Sequence, residues 1–171
     1  SHKLVLKAGL IVRGKVTDED DNPIKDARVW AGMVNYSGTQ ETKTDANGAF
    51  TFRNLAEGEK QFSVLAKGRK PEVRTVVVKF GMEEMKFQLG PGNVIKGLVK
   101  NEAGEPVSGV RVALESSTGG VSHEYQFEMT TDKEGRFKWD GAPDEPKNFC
   151  FLKQGYESKR RQKLQPAEDN L

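Results

Sequence analysis

Apolar residues along this chain recur at every second position, not at every third or fourth. Met85, Phe87 and Leu89 alternate with Glu84, Lys86 and Gln88, and Phe50 and Phe52 flank Thr51. A strand with one face on a core and the other in water carries this pattern. Segments of the kind lie near residues 10–17, 27–34, 39–44, 49–53, 60–66, 73–80 and 84–89, separated by Gly, Asn, Asp and Pro. That spacing predicts an antiparallel sandwich. No stretch carries a helical stripe with caps, so almost no helix is expected.

The pattern occurs twice. Gly14-Lys15-Val16 returns 83 positions on as Gly97-Leu98-Val99, Asn22-Pro23-Ile24 as Glu105-Pro106-Val107, and Val29 as Val112. Thr44-Asp45-Ala46-Asn47-Gly48-Ala49-Phe50 returns 87 positions on as Thr131-Asp132-Lys133-Glu134-Gly135-Arg136-Phe137, and Gly68 as Gly155. The second copy therefore carries four extra residues between its second strand and the Thr-Asp turn. Extended backwards, the first offset pairs Leu4, Leu6 and Gly9 with Phe87, Leu89 and Gly92, so Lys3 to Leu6 resembles the closing strand of a preceding unit. Ser1 and His2 look like a tag remnant, which makes the chain an expected piece of something longer. The expected organisation is residues 1–8 as remnant and preceding strand, 9–90 as the first sandwich and 91–171 as the second, divided at Gly90-Pro91-Gly92.

The sharpest local element is Thr-Asp-x-x-Gly-x-Phe, whose chemistry is conformational. The Asp side chain accepts backbone amides ahead of it and the Gly supplies a positive φ, which builds a hairpin. A calcium loop on Asp45 or Asp132 is the alternative, and neither copy clusters the oxygen ligands it would need.

Taken in order, Gly14-x-Val16, Asn22-Pro23-Ile24, Ala27-Arg28-Val29, Thr44-Asp45-x-x-Gly48-x-Phe50-x-Phe52, Leu55-x-x-Gly58 and Ala66-x-Gly68 resemble the carboxypeptidase regulatory-like domain family. The second copy repeats most of the pattern, and a more distant likeness is to the B-type repeats of collagen adhesins. The resemblance implies an all-β chain of two tandem seven-stranded antiparallel β-sandwiches of prealbumin-like (transthyretin-like) or Ig-like type. It also implies a non-catalytic spacer or accessory module of large, often bacterial, exported proteins, hence an extracellular, cell-surface or periplasmic place. Neighbouring repeats of the same chain are then the first expected partners. The adhesin likeness raises a Lys to Asn isopeptide bond from Lys15, but the Glu and Asn of that pattern are not recognisable. After Trp139 the second copy departs from the family, because Asp140-Gly141-Ala142-Pro143-Asp144-Glu145-Pro146 replaces the compact Leu-x-x-Gly turn.

Composition narrows the function. The 171 residues carry 27 Lys and Arg against 25 Asp and Glu, a balance too even to argue for nucleic acid or an anionic membrane surface. No apolar run approaches the length of a membrane-spanning helix. Cys150 is the only cysteine, which excludes an internal disulfide, and between Phe149 and Phe151 it reads as a small apolar strand residue. Metal or hydrolytic chemistry needs a cluster of His, Cys or carboxylates, and His123 stands without one. The expectation is no enzyme, no metal and no cofactor. Asp18-Glu19-Asp20-Asp21 and Lys159-Arg160-Arg161 read as solvated charge, the latter guarding a sheet edge.

The aromatic residues carry the candidate chemistry. Trp139 takes the slot of Phe52 and reads as core. With Ala27 and Val29 facing in, alternation turns Arg28 and Trp30 outward, and the counterpart of Trp30 is Ala113. An outward Trp30 near Tyr36 would stack on a sugar ring, or else pack against a neighbouring loop or domain. Tyr125, Phe127 and Met129 alternate where the first copy has Gly38, Gln40 and Thr42. They form either an interface between the units or an exposed recognition strand. Trp30, Tyr36, Tyr125 and Phe127 are thus the candidate ligand-binding residues, for a protein or glycan partner. The expected function is a structural, spacer or adhesion-type segment. The alternatives are a carbohydrate-binding module, or an accessory domain of a peptidase or outer-membrane transporter.

Overall fold

The computed structural model describes residues 2–116, 120 and 122–166, and the described residues form thirteen strands without a helix. The first unit contains β1 (Leu10–Asp18), β2 (Arg28–Ala31), β3 (Gln40–Lys43), β4 (Ala49–Leu55), β5 (Gly58–Leu65), β6 (Glu72–Val78) and β7 (Met85–Leu89). A three-stranded sheet ordered β4-β1-β7 packs on a four-stranded sheet ordered β3-β2-β5-β6. The second unit contains β8 (Asn93–Leu98), β9 (Arg111–Glu115), β10 (Glu128–Thr130), β11 (Arg136–Ala142), β12 (Lys147–Leu152) and β13 (Lys159–Leu164). Its sheets are β11-β8 and β10-β9-β12-β13.

Two details differ from the sequence expectation. The closing strand β7 runs parallel to β1, not antiparallel. The chain leaves the four-stranded sheet at β6 and crosses to the other sheet before pairing, and a crossover of this kind permits a parallel neighbour. The second unit shows six strands among its described residues, with no counterpart of β7. By the repeat, that counterpart would begin past residue 171.

Period two holds wherever a strand has one face on a core. In β4, Phe50 and Phe52 are buried and Thr51 is exposed; in β11, Phe137 and Trp139 are buried and Lys138 is exposed. The first core gathers Val12, Val16, Phe52, Phe62, Phe87 and Leu89. The second gathers Ile95, Val112, Phe137, Trp139 and Phe149, with Trp139 in the slot of Phe52 as expected. Cys150 is buried in β12, where burial, and secondarily Glu115, push its thiol pKa up.

The repeated turns match atom by atom. Asp45 Oδ1 accepts the amides of Asn47 (2.8 Å) and Ala49 (2.9 Å). Asp132 Oδ1 accepts those of Glu134 (3.0 Å) and Arg136 (2.8 Å). Gly48 and Gly135 both stand at φ 72°, which side-chain-bearing residues rarely adopt. The threonine before each Asp has its own task. Thr44 Oγ1 accepts Ala27 N and donates to Ile24 O, and Thr131 Oγ1 does the same with Val110 N and Val107 O. Each buried hydroxyl thereby ties the turn to the start of a central strand.

Gly14 and Gly97 answer a packing demand. A Cβ at Gly14 would overlap the Phe50 ring, and one at Gly97 the Phe137 ring. Each phenylalanine lies flat across the strand because the residue opposite has no side chain. Gly97→Val should therefore lower stability by about 1–3 kcal/mol through overpacking. Urea unfolding followed by tryptophan fluorescence checks this, and an unchanged midpoint would show that Phe137 has room to move.

Candidate functional site

Alternation along β2 puts Val29 and Ala31 into the first core and Trp30 on the opposite face, beside Ser63 and Leu65 of β5. On an isolated sandwich that outer face would meet water. Here the segment 122–128, which leads into β10, lies across it, and Trp30 is only 2% exposed. Trp30, Val34 and Leu65 join the core of the second unit instead of their own.

Polar contacts align the two surfaces. His123 O accepts both Val34 N (3.0 Å) and Gln61 Nε2 (2.9 Å). Gln126 Nε2 donates to Asn35 Oδ1 at 2.7 Å, and Asn35 Nδ2 donates to Ser122 O at 3.3 Å. Within the first unit a clamp holds the indole. Trp30 Nε1 donates to Glu41 Oε2 at 3.0 Å, and Arg28, stacked 4.5 Å over the indole, donates from Nε to Glu41 Oε1 at 2.8 Å. The indole N–H therefore enters the interior with its hydrogen bond already made, which removes the main cost of burying it. Arg28's hydrogen bonds hold the Glu41 carboxyl below the usual carboxylate range; partial burial opposes this, while the Arg28 charge and the Trp30 hydrogen bond add to it.

From the other side of the seam come Tyr125 and Phe127. Tyr125 is buried, and this burial raises its hydroxyl pKa. Phe127 stacks on Trp139 with centroids 4.3 Å apart, linking the seam to the second core. Lys147 lies near the Tyr125 ring and pairs with Glu124 and Glu145, each at 3.0 Å. Burial alone would lower its pKa, but Tyr125 and these carboxylates outweigh it and raise the value. Tyr36 makes an edge contact with the His123 ring, centroids 5.0 Å apart.

A second attachment lies at the linker. Lys70 N donates to Gly90 O and Gly92 N to Gly68 O, so the linker is pinned against the end of β5. Arg69 pairs with Asp18 at 3.1 Å, and Lys70 with Asp144 at 2.7 Å. A Cβ on Gly141 would lie 3.0 Å from Arg69 O, so the end of β11 rests directly on the first unit.

All four candidate residues thus converge on one seam. For both Trp30 and Tyr125 the sequence left a ligand-facing ring and packing against the other unit as alternatives, and each ring is buried where the two units meet. Phe127 is half-buried, and Tyr36 keeps the most surface, at 56% exposed. A cleft of about 310 Å³ along the seam is lined in part by Arg28, Arg111 and Glu128, but Arg28 is taken by Glu41 and Arg111 by Glu128. Sequence reasoning missed Glu41, Gln61 and the role of His123. Their signal was indirect: they surround an outward Trp in one copy and an insertion in the other. Among the described residues, no group of three or more His, Cys, Asp or Glu is placed to hold a metal ion, and no helix is long and apolar enough to cross a membrane.

Trp30→Ala should remove the seam's anchor and cost about 3–5 kcal/mol, as for other large-to-small changes in packed sites. Thermal unfolding by calorimetry gives the value, and a loss under about 1 kcal/mol would mean the seam is loosely packed. The clamp should also be acid-sensitive. A carboxyl whose folded pKa is depressed stabilises at neutral pH, and that contribution disappears as pH falls through the depressed value. An NMR titration of the Trp30 indole N–H should accordingly show a midpoint below the ordinary glutamate range. A midpoint at or above that range would show that Glu41 is not clamped.

Comparison with known proteins agrees with the repeat. No curated protein matches the sequence. Among solved structures, the Streptococcal ancillary pilin is 15% identical with a TM-score of 0.39 over 94% of this chain, which spans 59% of that pilin. The Bacillus anthracis TIE protein is 15% identical with a TM-score of 0.43 over 94% of this chain and 31% of its own. The 3-chlorocatechol 1,2-dioxygenase of Rhodococcus opacus 1CP is 16% identical with a TM-score of 0.40, over 49% of this chain and 60% of its own. These likenesses are distant, whereas the family description "carboxypeptidase regulatory-like domain" matches residues 11–90 and again 94–170. The chain belongs to the carboxypeptidase regulatory-like domain family, as two tandem members.

Proposed function

We propose that this tandem pair is a stiff, non-catalytic spacer, a structural or adhesion-type segment of a larger exported protein. The observation that carries the reading is the double attachment between the units. A short linker alone would let two domains swing, and relative motion is the default between domains of one chain. Here the linker is hydrogen-bonded to the first unit, and a separate seam around Trp30 blocks rotation about it. A pair fixed at two places sets the distance and direction between whatever lies on either side of it. Burying apolar surface between units that each have their own core is useful to such a spacer, and a mobile joint would serve it poorly. The aromatic rings that sequence reasoning offered to a sugar are the material of this joint.

Small-angle scattering should give one particle profile that fits a single fixed arrangement of the units, and calorimetry one cooperative transition. In Trp30→Ala the profile should broaden towards an ensemble and the transition should split. A wild-type profile that needs an ensemble of orientations would remove the spacer reading.

A further inference from the structure

We propose that the outer face of each smaller sheet, β4-β1-β7 in the first unit and β11-β8 in the second, binds a linear acidic polysaccharide. The chain as a whole is nearly balanced, with 27 Lys and Arg against 25 Asp and Glu. On these two faces the outward charged residues are cations, Asp140 excepted. In the first unit Arg13 and Lys15 point outward from β1, Arg53 from β4 and Lys86 from β7, each next to a buried residue of its own strand. Lys15 stands beside Lys86 in the parallel ladder. Strand geometry puts their backbones about 5 Å apart, with Arg13 about 7 Å further along β1. In the second unit Lys96 stands directly opposite Lys138, and Arg136 is exposed two positions before it on β11.

The fold gains nothing from this arrangement. Like charges directly opposite oppose sheet formation, and threonine or glutamine would meet water as well. No carboxylate offsets the charge. Of the five arginines on the larger sheets, Arg28, Arg74, Arg111 and Arg160 each pair with a carboxylate. Arg13, Arg53 and Arg136, with the lysines beside them, make no ion pair among the described residues. The repeat sharpens the contrast. Ala49 becomes Arg136, Thr51 becomes Lys138 and Thr17 becomes Lys100, so single residues change between copies while the sign of the face persists.

The surroundings select the kind of polyanion. Each face holds a shallow depression, of about 450 Å³ beside Lys15, Thr17, Lys86 and Gln88, and of about 540 Å³ beside Lys96, Arg136 and Lys138. Acids that border them are engaged, Asp21 by Gln88 and Asp132 by the amides of its turn. Every aromatic ring on β1, β4, β7, β8 and β11 is buried, so neither face offers the platform on which single-stranded nucleic acid stacks its bases. What the first face does offer between its cations is the hydroxyls of Thr17 and Thr51 and the amide of Gln88. Sugar hydroxyls find hydrogen-bond partners there, and carboxylate or sulfate groups find charge-assisted ones. This inference is separate from the spacer reading, because a mobile joint would leave both faces as they are.

Biolayer interferometry of the whole chain on immobilised dextran sulfate tests it, with uncharged dextran and oligothymidylate on parallel sensors. The chain should bind dextran sulfate at about 50 mM NaCl, weaken at least about tenfold by 0.5 M, and ignore dextran. Lys15→Gln with Lys86→Gln, and separately Lys96→Gln with Lys138→Gln, should each weaken binding about three- to tenfold. Lys67→Gln with Lys159→Gln, exposed but away from these faces, should change it by less than about twofold. Thermal midpoints of the two face variants should not fall below that of the wild type, since each removes a like-charge neighbour. No binding to dextran sulfate, equal weakening by all three pairs, or binding of oligothymidylate as tight as that of dextran sulfate would overturn the proposal. So would a lowered midpoint in either face variant, which would show that these cations serve the fold.

Discussion

An indole on the outer face of a sandwich is the constraint from which the arrangement of this molecule follows. Trp30 lies on the wrong side of β2 for its own core, and its large apolar surface needs a cover that lies outside that core. The second unit provides it with segment 122–128, at the end of the connection that is four residues longer than in the first copy. The Arg28 and Glu41 clamp prepares the ring for burial by giving its N–H an acceptor before the second unit arrives. Gln61 and Asn35 then fix where that segment lies.

The two places where the second copy departs from the first are the two places where the units touch. The lengthened connection before β10 leads into the segment that covers Trp30, and the irregular stretch that begins at Asp140 meets Arg69 O through Gly141 and pairs Asp144 with Lys70. Elsewhere the copies agree down to single hydrogen bonds, as the Asp45 and Asp132 turns show. A duplicated module keeps its internal geometry because each turn and each close-packed glycine is required by its own core. It is free to change only where its surface meets something new. Interruptions of the repeat thus mark the interface better than the identity of any one residue does.

This explains what was legible in the sequence and what was not. Strand positions, the turn chemistry and the orientation of Trp30 are local, set by alternation and by the side chains of a few neighbours, and all were readable. The parallel pairing of β7 depends on which sheet the chain enters after β6, and no local pattern records that. Alternation also told which face Trp30 occupies but not what covers it, since exposure is decided by a unit roughly 90 residues away. An outward aromatic looks the same in sequence whether its partner is a sugar or a neighbouring domain. The threonines at 44 and 131 were quoted as part of a motif, yet their role as buried staples appears only once the hydroxyl contacts are seen.

The basic run at Lys159-Arg160-Arg161 shows how one segment serves two physical needs. It lines the edge of β13 with exposed charge, which discourages pairing with another sheet. It also meets a buried acid. Glu115, whose side chain is 2% exposed, accepts Arg160 Nη1 at 2.8 Å and the Arg161 amide at 2.6 Å. A carboxylate so enclosed is tolerable only with both oxygens engaged, so neutralising either partner would leave a buried charge unpaired. The charge that guards this edge is therefore fixed in place by the interior.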